Sequence, residues 1–341
     1  MTSTTLETGP AGAAAAGEPV TLLDARQVTM QFGGLTAVNK VDLTVHTGEI
    51  MGLIGPNGAG KTTFFNCLTG MYKPTSGEVR LDGEVLPPKP RRVAMAGVAR
   101  TFQNIRLFQN MTALENVMVG RYCRTRTNAL DAVFRLPRHR REEVETREHA
   151  LKWLEFVGLA GSGDALARNL PYGDQRRLEI ARALATDPKL LLLDEPTAGM
   201  NPQETRDAEA LITRIRGLGL AILVIEHDMR FIFSLCDRVT CLVRGEVLVA
   251  GDPATVQNDP RVIEAYIGSA VEDDEDTGPA ADTDAAAAGA TAAGATAADT
   301  APDSPPSGRV PPPSRPLLEM PPNAASRHTQ PQSERAEDDH A

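Results

Sequence analysis

The hydrophobic and polar positions of this chain follow two patterns, which predict two kinds of β-strand. The segments LLDARQVTMQF (residues 22–32) and TAVNKVDLTV (residues 36–45) alternate apolar and polar residues, as half-buried antiparallel strands do. The segments EIMGLIG, LLLLDEP and LAILVIEHD are nearly continuous apolar runs that end in glycine or in acidic and polar residues. Such runs are typical of buried parallel strands, whose carboxyl ends carry the chemistry of α/β proteins. We therefore expect functional residues at one edge of a parallel sheet.

In the middle of the chain, at about residues 104–186, the apolar spacing changes to the three- and four-residue period of helices. The segment REEVETREHALKWLEFVGL places Val144, Leu151, Leu154 and Val157 on this period. We interpret the region as a mostly helical subdomain inserted into the α/β core. Beyond it, RVTCLVRGEVLVAGDP predicts two further strands joined by a turn at the Arg-Gly pair.

Composition separates a globular region from two tails. Residues 1–19 and 270–341 are rich in alanine, glycine, threonine and proline, and the second tail has 11 prolines and no Phe, Trp or Tyr. Because such segments bury too little apolar surface to offset their ordering entropy, we predict disordered termini around one domain at residues 20–269. The tail at 270–341 is acidic, with 14 Asp and Glu against 4 Lys and Arg, and it accounts for the whole net charge of −10. The charge therefore says nothing about the partners of the core.

The cysteines and the apolar runs bear on the cellular location. Four cysteines without a CxxC pair indicate reduced thiols in a cytosolic protein. The N-terminus has neither the basic region nor the apolar stretch of a signal peptide. No apolar run approaches the roughly 18–20 residues that are needed to cross a bilayer. If this chain acts at a membrane, we expect it to be bound there through a partner protein.

A glycine-rich stretch, GPNGAGKTT, follows one apolar run and precedes a predicted helix. It matches the motif G-x-x-x-x-G-K-[ST], in which glycines let consecutive N–H groups and a helix N-terminus surround a polyphosphate. Lys61 would reach the β- and γ-phosphates of a nucleotide, and the Thr62 hydroxyl would bind Mg²⁺. The predicted nucleotide-binding residues of this loop are Gly55, Pro56, Asn57, Gly58, Ala59, Gly60, Lys61, Thr62 and Thr63.

An acidic pair ends the apolar run LLLLDEP. Asp194 is predicted to hold Mg²⁺ through the outer coordination shell, and Glu195 to orient and polarise a water molecule against the γ-phosphate. General-base assistance of this kind accelerates a reaction by roughly 10²–10⁴-fold. On its own such a pair is more often a solvated strand end, so its assignment depends on the neighbouring motifs.

The order of these motifs resembles that of the ATP-binding-cassette ATPases. The glycine-rich loop, RTFQ, NLPYGDQRRLEIARALATDP, LLLLDEPTAG and VIEHD follow one another over about residues 22–268. The resemblance implies an α/β fold: a P-loop NTPase core with an antiparallel β subdomain and an inserted α-helical subdomain. It also implies ATP and Mg²⁺ as ligands, and a head-to-tail dimer that encloses two ATP molecules and opens after hydrolysis.

The resemblance adds roles for four further residues. Gln103 corresponds to a glutamine that contacts Mg²⁺ and water, and His227 to a histidine that contacts the γ-phosphate. Phe32 resembles the aromatic residue that stacks on adenine, although packing into the core is an alternative. Gly173 lies in the signature loop, which grips the γ-phosphate of an ATP held by a second subunit. The predicted sites are therefore catalytic Glu195, His227 and Gln103, and metal-binding Thr62, Gln103 and Asp194.

Two departures from the family pattern concern the dimer. The usual signature LSGGQ is replaced by LPYGD, so that Pro171 stands where a serine hydroxyl would contact phosphate and Asp174 where a glutamine would be. Proline suits a first helical position, which offers a local reason for the change. Asn201 replaces an aspartate that many relatives have at the dimer-crossing position. Both changes predict that the composite site formed with this signature hydrolyses ATP less efficiently.

The segments RTFQNIRLFQNMTALENVMVGR, DEPTAGMNPQET and RVIEAYIG are most similar to the larger ATP-binding subunit of branched-chain amino-acid importers. That resemblance implies a second ATPase subunit, two transmembrane permease subunits and, indirectly, an extracytoplasmic solute-binding protein as partners, and no nucleic acid. It places the chain at the cytoplasmic face of the cell membrane, bound through the permease.

Three alternatives stay open from the sequence. Importers of urea, short-chain amides or another solute would use the same motor. A non-transport cassette protein acting on ribosomes or DNA is a second possibility, but those proteins usually carry two cassettes or a coiled-coil insert. A P-loop kinase or GTPase is the third, and it would need no signature helix.

Overall fold

The computed structural model describes residues 20–124 and 137–266, and at residues 137–140 the backbone alone. All of these residues belong to one compact unit, Met1–Ala280. The tails predicted at residues 1–19 and 270–341 lie outside the described residues. The predicted domain boundaries therefore stay predictions.

The alternating segments form a four-stranded sheet in the order β2-β1-β4-β5. In it β1 pairs antiparallel with both β2 and β4, as the alternation predicts. One face is buried, through residues such as Leu23, Val28 and Val41, which are fully enclosed. The strands are β1 Thr21–Phe32, β2 Leu35–His46, β4 Ser76–Leu81 and β5 Glu84–Val85.

The continuous apolar runs form the centre of a six-stranded sheet in the order β10-β9-β3-β8-β7-β6. β3 pairs in parallel with β8 and β9, and β7 pairs in parallel with β8 and β6. Among the strands of this sheet in residues 20–124 and 137–266, only β10 runs antiparallel, in a hairpin with β9, which confirms the strand pair predicted around the Arg-Gly turn. The strands are β3 Ile50–Ile54, β6 Val98–Arg100, β7 Leu190–Asp194, β8 Ala221–Ile225, β9 Arg238–Val243 and β10 Glu246–Gly251.

The central strands are apolar throughout because both of their faces are covered. Successive side chains of a strand point to opposite faces. Accordingly Met51 and Leu53 of β3 pack in a core shared with the antiparallel sheet. Ile50 and Ile54 pack in a second core, which includes the helices that follow β6. The parallel pairing brings the carboxyl ends of β3, β8 and β7 side by side, and these ends carry the predicted motifs.

Helices cover the sheets, and those between β6 and β7 form the predicted inserted subdomain. Leu154 and Val157 of that region are buried as their spacing predicts, whereas Val144 and Leu151 are 56% and 41% exposed. The helical period is thus right, but its apolar face is only partly covered. The helices are α1 Lys61–Leu68, α2 Pro90–Ala96, α3 Ala113–Arg121, α4 Pro137–Phe156, α5 Tyr172–Leu184, α6 Pro202–Arg216, α7 Met229–Leu235 and α8 Pro253–Gln257, with a 3-10 turn at Ala167–Asn169.

The predicted fold class is confirmed by this arrangement of an α/β core, an antiparallel β subdomain and an inserted helical subdomain. Within the described ranges, no helix has both the length and the apolar character needed to span a membrane.

Candidate functional site

The glycine-rich loop lies between β3 and α1, and two of its glycines are required by the backbone around them. A Cβ atom on Gly55, which has φ of +149°, would lie 2.1 Å from the carbonyl oxygen of Leu242. A Cβ atom on Gly60, with φ of +94°, would lie 2.4 Å from the carbonyl oxygen of Ala37. No larger residue fits at either position without moving the chain. The loop is therefore clamped at both ends by neighbouring strands.

Lys61 begins α1 and turns back over the loop. Its Nζ donates hydrogen bonds to the carbonyl oxygens of Gly55, at 2.6 Å, and Pro56, at 2.9 Å. Burial lowers the pKa of Lys61, and the nearby carboxylate of Glu195 opposes that shift. The ammonium group is thus held beside the backbone of the loop. It also lies close enough to Glu195 and Asp194 to interact with their charges.

Glu195 follows directly after β7 and has an unusual backbone. Its φ is +46°, a left-handed conformation that non-glycine residues rarely adopt. Its N–H donates to the carbonyl oxygen of Ile225 at the end of β8, at 2.9 Å. Strained conformations of this kind concentrate at functional sites, where the surrounding structure stabilises them. The neighbouring strand thus holds the backbone from which the carboxylate projects.

The structure brings three predicted catalytic residues together. Gln103 Nε2 donates a hydrogen bond to Glu195 Oε2 at 2.8 Å. His227 Nδ1 lies 3.9 Å from the same oxygen, and its side chain is 66% exposed. An acid, an amide and an imidazole therefore converge at the edge of the sheet where the glycine-rich loop begins.

Glu226 is a site residue that sequence reasoning missed. It is fully buried, and its carboxylate accepts hydrogen bonds from the N–H groups of Thr197, at 2.8 Å, and His227, at 3.1 Å. It thus ties the loop after Glu195 to the backbone of the histidine. The only sequence signal was an acidic residue at the end of an otherwise apolar run.

Arg100 was also missed, and it forms a buried ion pair with Asp194. Its Nη2 lies 2.6 Å from Asp194 Oδ2, and both side chains are less than a tenth exposed. Its Nη1 donates to Asn66 Oδ1 at 2.7 Å, and its guanidinium lies over the rings of Phe65 and Phe102. Since α1 and β6 supply these partners, the pair connects the acid at the end of β7 to the helix of the phosphate loop.

Arg100→Met is expected to lower the free energy of unfolding by about 3 kcal/mol, because it leaves Asp194 buried without its partner. Urea unfolding at neutral pH measures the change. Lys189→Met is the matched control, since its ion pair with Asp82 is more than half exposed on each side. Exposed pairs of this kind contribute only about 0–1 kcal/mol. Equal changes in the two variants would contradict the prediction.

The signature segment differs from its prediction in one detail. Pro171 is not the first helical residue but the N-cap of α5, which begins at Tyr172. A proline has no side-chain oxygen to cap the first turn, and no side-chain cap is present there. Gly173 is buried, and a Cβ atom on it would lie 3.1 Å from Glu204 Oε1, a tight contact with the end of a flexible side chain.

Tyr172 links the signature helix to the loop after Glu195. Its hydroxyl donates to the carbonyl oxygen of Ala198 at 2.9 Å and accepts from Arg176 Nη2 at 3.0 Å. Arg176 is buried and donates to the carbonyl oxygens of Phe102, at 2.7 Å, and Gln103. One side-chain pair therefore joins the signature helix to both segments that flank the catalytic group.

Asn201 has a local role that explains its identity. It is the N-cap of α6, and its Oδ1 accepts from the N–H groups of Gln203, at 2.9 Å, and Glu204, at 3.0 Å. The Glu204 side chain accepts from the Asn201 N–H in return, which completes a capping box. Asparagine caps helices about as well as aspartate, so this substitution keeps the helix start intact.

Phe32 lies at the end of β1 and is 42% exposed. Its ring makes an edge contact with Tyr72, with the centroids 5.4 Å apart. This exposure rules out the alternative that Phe32 is a core residue. The ring is accessible, and its stacking on adenine stays a prediction.

The donor set predicted for Mg²⁺ fits a hard cation. Thr62 in the first turn of α1, Gln103 beside Glu195, and Asp194 at the end of β7 offer hydroxyl, amide and carboxylate oxygens. Mg²⁺ prefers oxygen and is usually held by one or two carboxylates together with phosphates and water. In the described part of the chain, no three His, Cys, Asp or Glu residues cluster as a metal site. Three oxygen donors fit such a cation when phosphates and water supply its other ligands.

Comparison with known proteins assigns the family. Residues 38–198 match the family model for the ABC transporter, and residues 246–272 match that for the branched-chain amino acid ATP-binding cassette transporter. The BraF high-affinity branched-chain amino acid transport ATP-binding protein of Pseudomonas aeruginosa is 48% identical over 251 residues, which cover 73% of this chain and 98% of BraF. The chain belongs to the ABC transporter family.

Other relatives agree with this membership. The branched-chain amino acid transport ATP-binding protein LivG of Escherichia coli is 46% identical over 251 residues, covering 73% of this chain and 98% of LivG. A crystal structure of a nucleotide-free ATP-binding cassette is 31% identical with a TM-score of 0.65, covering 73% of this chain and all of that cassette. A dimeric cassette bound to ADP and Pi is 26% identical with a TM-score of 0.58, covering 68% of this chain and 99% of that one.

Proposed function

We propose that this chain is the ATP-hydrolysing motor subunit of an importer for branched-chain amino acids. The observation that carries the proposal is the convergence of the glycine-rich loop, Glu195, Gln103 and His227 at one sheet edge, in a chain 48% identical to BraF. The match of residues 246–272 to a branched-chain amino-acid family model supports the substrate class. The subunit itself would drive transport without touching the amino acid.

The phosphate loop would hold the nucleotide. Its N–H groups and the N-terminus of α1 favour an anion, because both present positive partial charge. Lys61 would exchange the carbonyl oxygens of Gly55 and Pro56 for the β- and γ-phosphates. Phe32 would stack on the adenine through its exposed ring. Mg²⁺, when held by the phosphates with Thr62, Asp194 and Gln103, would neutralise charge on the phosphates.

Hydrolysis would depend on Glu195. Its carboxylate would accept a proton from the attacking water, and Gln103, which already donates to it, would keep it oriented. His227 would donate to the γ-phosphate from its exposed position beside Glu195. The left-handed backbone of Glu195 supports this assignment, because strained conformations concentrate at functional sites.

The second half of each site would come from a partner ATPase subunit. The first turn of α5 lacks a side-chain cap, so that the N–H groups around Gly173 suit a phosphate bound to the partner. Asp174 in that turn pairs with Arg177 at 3.6 Å, and both are about a third exposed. The same arginine also pairs with Asp207 at 3.3 Å, so its one positive charge is shared between two carboxylates and leaves net negative charge to oppose an incoming phosphate. We therefore propose slower hydrolysis at the composite site that uses this signature.

The permease would dock between the core and the helical subdomain. An open cavity of about 250 Å³ separates α2 and β6 from α5. Its lining is mostly apolar, with Met71 about half exposed beside it and Arg100 and Arg182 as its basic residues. A short amphipathic cytoplasmic helix of the permease would fit this lining. Such a contact would keep the chain at the cytoplasmic face of the cell membrane.

Reconstitution tests the proposal. The chain is purified with its permease subunits and second ATPase, inserted in vesicles, and supplied with ATP and an isotope-labelled branched-chain amino acid together with a solute-binding protein. ATP-dependent uptake of leucine, isoleucine or valine is expected. If only urea or a short-chain amide were taken up, the motor role would stand and the assignment of branched-chain amino acids as substrates would be wrong. Purification with ribosomes or DNA, without a permease, would refute the transport function.

A further inference from the structure

The C-terminal segment of the cassette reaches back to the phosphate loop. After β10, helix α8 and a further helical stretch at residues 260–266 lead the chain to Tyr266. The hydroxyl of Tyr266 accepts a hydrogen bond from the N–H of Gly55 at 2.7 Å. Gly55 is the first residue of the phosphate loop, and 211 positions of sequence separate the two residues. The last of the described residues thus contacts the nucleotide-binding loop directly.

The route of the chain to this contact is well anchored. Asp252 caps α8 by accepting from Thr255 N at 3.0 Å, and Asp259 accepts from Arg261 N at 2.9 Å at the start of the next helical stretch. Val256 and Val262 are buried in the core, and the Tyr266 ring packs against the same core. Burial raises the pKa of Tyr266, so its phenol stays protonated at physiological pH. The position of the hydroxyl is therefore set by packing.

The rest of this helical stretch stands away from the loop. An open cavity of about 490 Å³ lies between residues 56–59 of the loop and Arg261, Glu264 and Ala265 of the C-terminal segment. Tyr266 reaches past this cavity to the peptide that joins Ile54 to Gly55. The contact is thus made at the point where the loop leaves β3.

The backbone conformation of Gly55 sets the direction in which the phosphate loop leaves β3. Its φ of +149° is open to glycine, and the Leu242 carbonyl lies against its Cα. Its N–H faces Tyr266, and its carbonyl oxygen accepts from Lys61 Nζ at 2.6 Å. A shift of the peptide before Gly55 would therefore change both the direction of the loop and the carbonyl that holds Lys61.

We propose that Tyr266 is a positioning residue for the phosphate loop, and that the C-terminal segment acts through it on the affinity for ATP. The inference rests on the proposed nucleotide-binding function and adds a role for residues 246–272, which match a family model. Without the hydroxyl, the first peptide of the loop loses its partner. Part of the binding free energy of ATP then has to order the loop, which weakens binding.

The test uses the full chain and Tyr266→Phe, which keeps the ring and removes only the hydroxyl. The dissociation constant for ATP is expected to rise about threefold to tenfold, the range given by loss of one hydrogen bond. The constant is measured by titration with ATP in the presence of EDTA, so that metal binding does not contribute to the measured affinity. Ile263→Ala is the matched control, because Ile263 is half-exposed on the same helical stretch and is expected to leave the constant unchanged.

A second measurement does not depend on nucleotide. Hydrogen exchange at the Gly55 amide, followed by NMR on glycine-labelled protein, is expected to be faster in Tyr266→Phe than in the wild type and the control. Unchanged exchange, or unchanged ATP affinity despite faster exchange, overturns the inference. A wild-type chain that binds no ATP refutes the proposed function, whereas the exchange result still decides whether Tyr266 orders the loop.

Discussion

Glu195→Gln is expected to lower steady-state ATP hydrolysis by about 10²–10⁴-fold, the range that a general base contributes. A glutamine amide cannot take the proton of the attacking water. It can still accept the hydrogen bond that Gln103 donates at 2.8 Å, so the local geometry is preserved. ATP binding should therefore stay intact, and the ATP-bound dimer should accumulate in its closed form. Phosphate release by the assembled transporter measures the first effect, and gel filtration with ATP measures the second.

The control for this substitution is Glu84→Gln, the same change at an exposed position of β5. It is expected to hydrolyse ATP at the native rate. If Glu195→Gln bound ATP and also hydrolysed it at that rate, another group would have to activate the water. If it lost ATP binding as well, the substitution would have disturbed the strained backbone at this position rather than the chemistry.

The edge at which these residues meet was predictable because strand pattern and motif position point to the same place. Continuous apolar runs predicted parallel strands, and parallel strands place their carboxyl ends together. Glu195 and His227 each follow such a run, and the phosphate loop follows a third. Their proximity at 3.9 Å then results from the sheet order, in which β8 lies between β3 and β7.

Contacts between distant segments were not predictable from the sequence. Arg100 pairs with Asp194 across 94 positions, and Tyr266 contacts Gly55 across 211. An arginine or a tyrosine in a local pattern is equally compatible with a surface position, and only packing decides which partner it meets. The N-cap position of Pro171 was missed by one residue for a different reason, because helix ends depend on backbone angles that the residue types constrain only loosely.

The same reasoning separates what the signature segment does locally from what it would do in a dimer. Asn201 and Glu204 form the hydrogen bonds of the capping box at the start of α6, and the Tyr172 hydroxyl donates a hydrogen bond to the carbonyl oxygen of Ala198. These residues therefore have reasons to be present within a single chain. The proposed slower hydrolysis at the composite site is a separate matter. It depends on how the phosphate bound to the partner subunit meets Asp174.

Lys61→Ala is expected to weaken ATP binding by about 30- to 5,000-fold, which corresponds to the roughly 2–5 kcal/mol lost when one partner of a close charge pair is removed. The ammonium group would be the mobile cation of the site, because its present partners are two backbone carbonyls of the loop rather than a carboxylate. It could therefore transfer to the phosphates without breaking an ion pair. A fluorescent ATP analogue titrated against the purified chain measures the dissociation constant.

The control is Lys152→Ala, which removes the same charge from an exposed position of α4. Its affinity for ATP should match the wild type, which would exclude a general effect of net charge. The Lys61 variant is expected to stay folded, which urea unfolding checks, since the side chain is half-buried and its hydrogen bonds go to two backbone carbonyls. Undiminished affinity in a folded Lys61→Ala protein would remove the phosphate-loop assignment, and with it the reason why Gly55 and Gly60 need to be glycine for function as well as for packing.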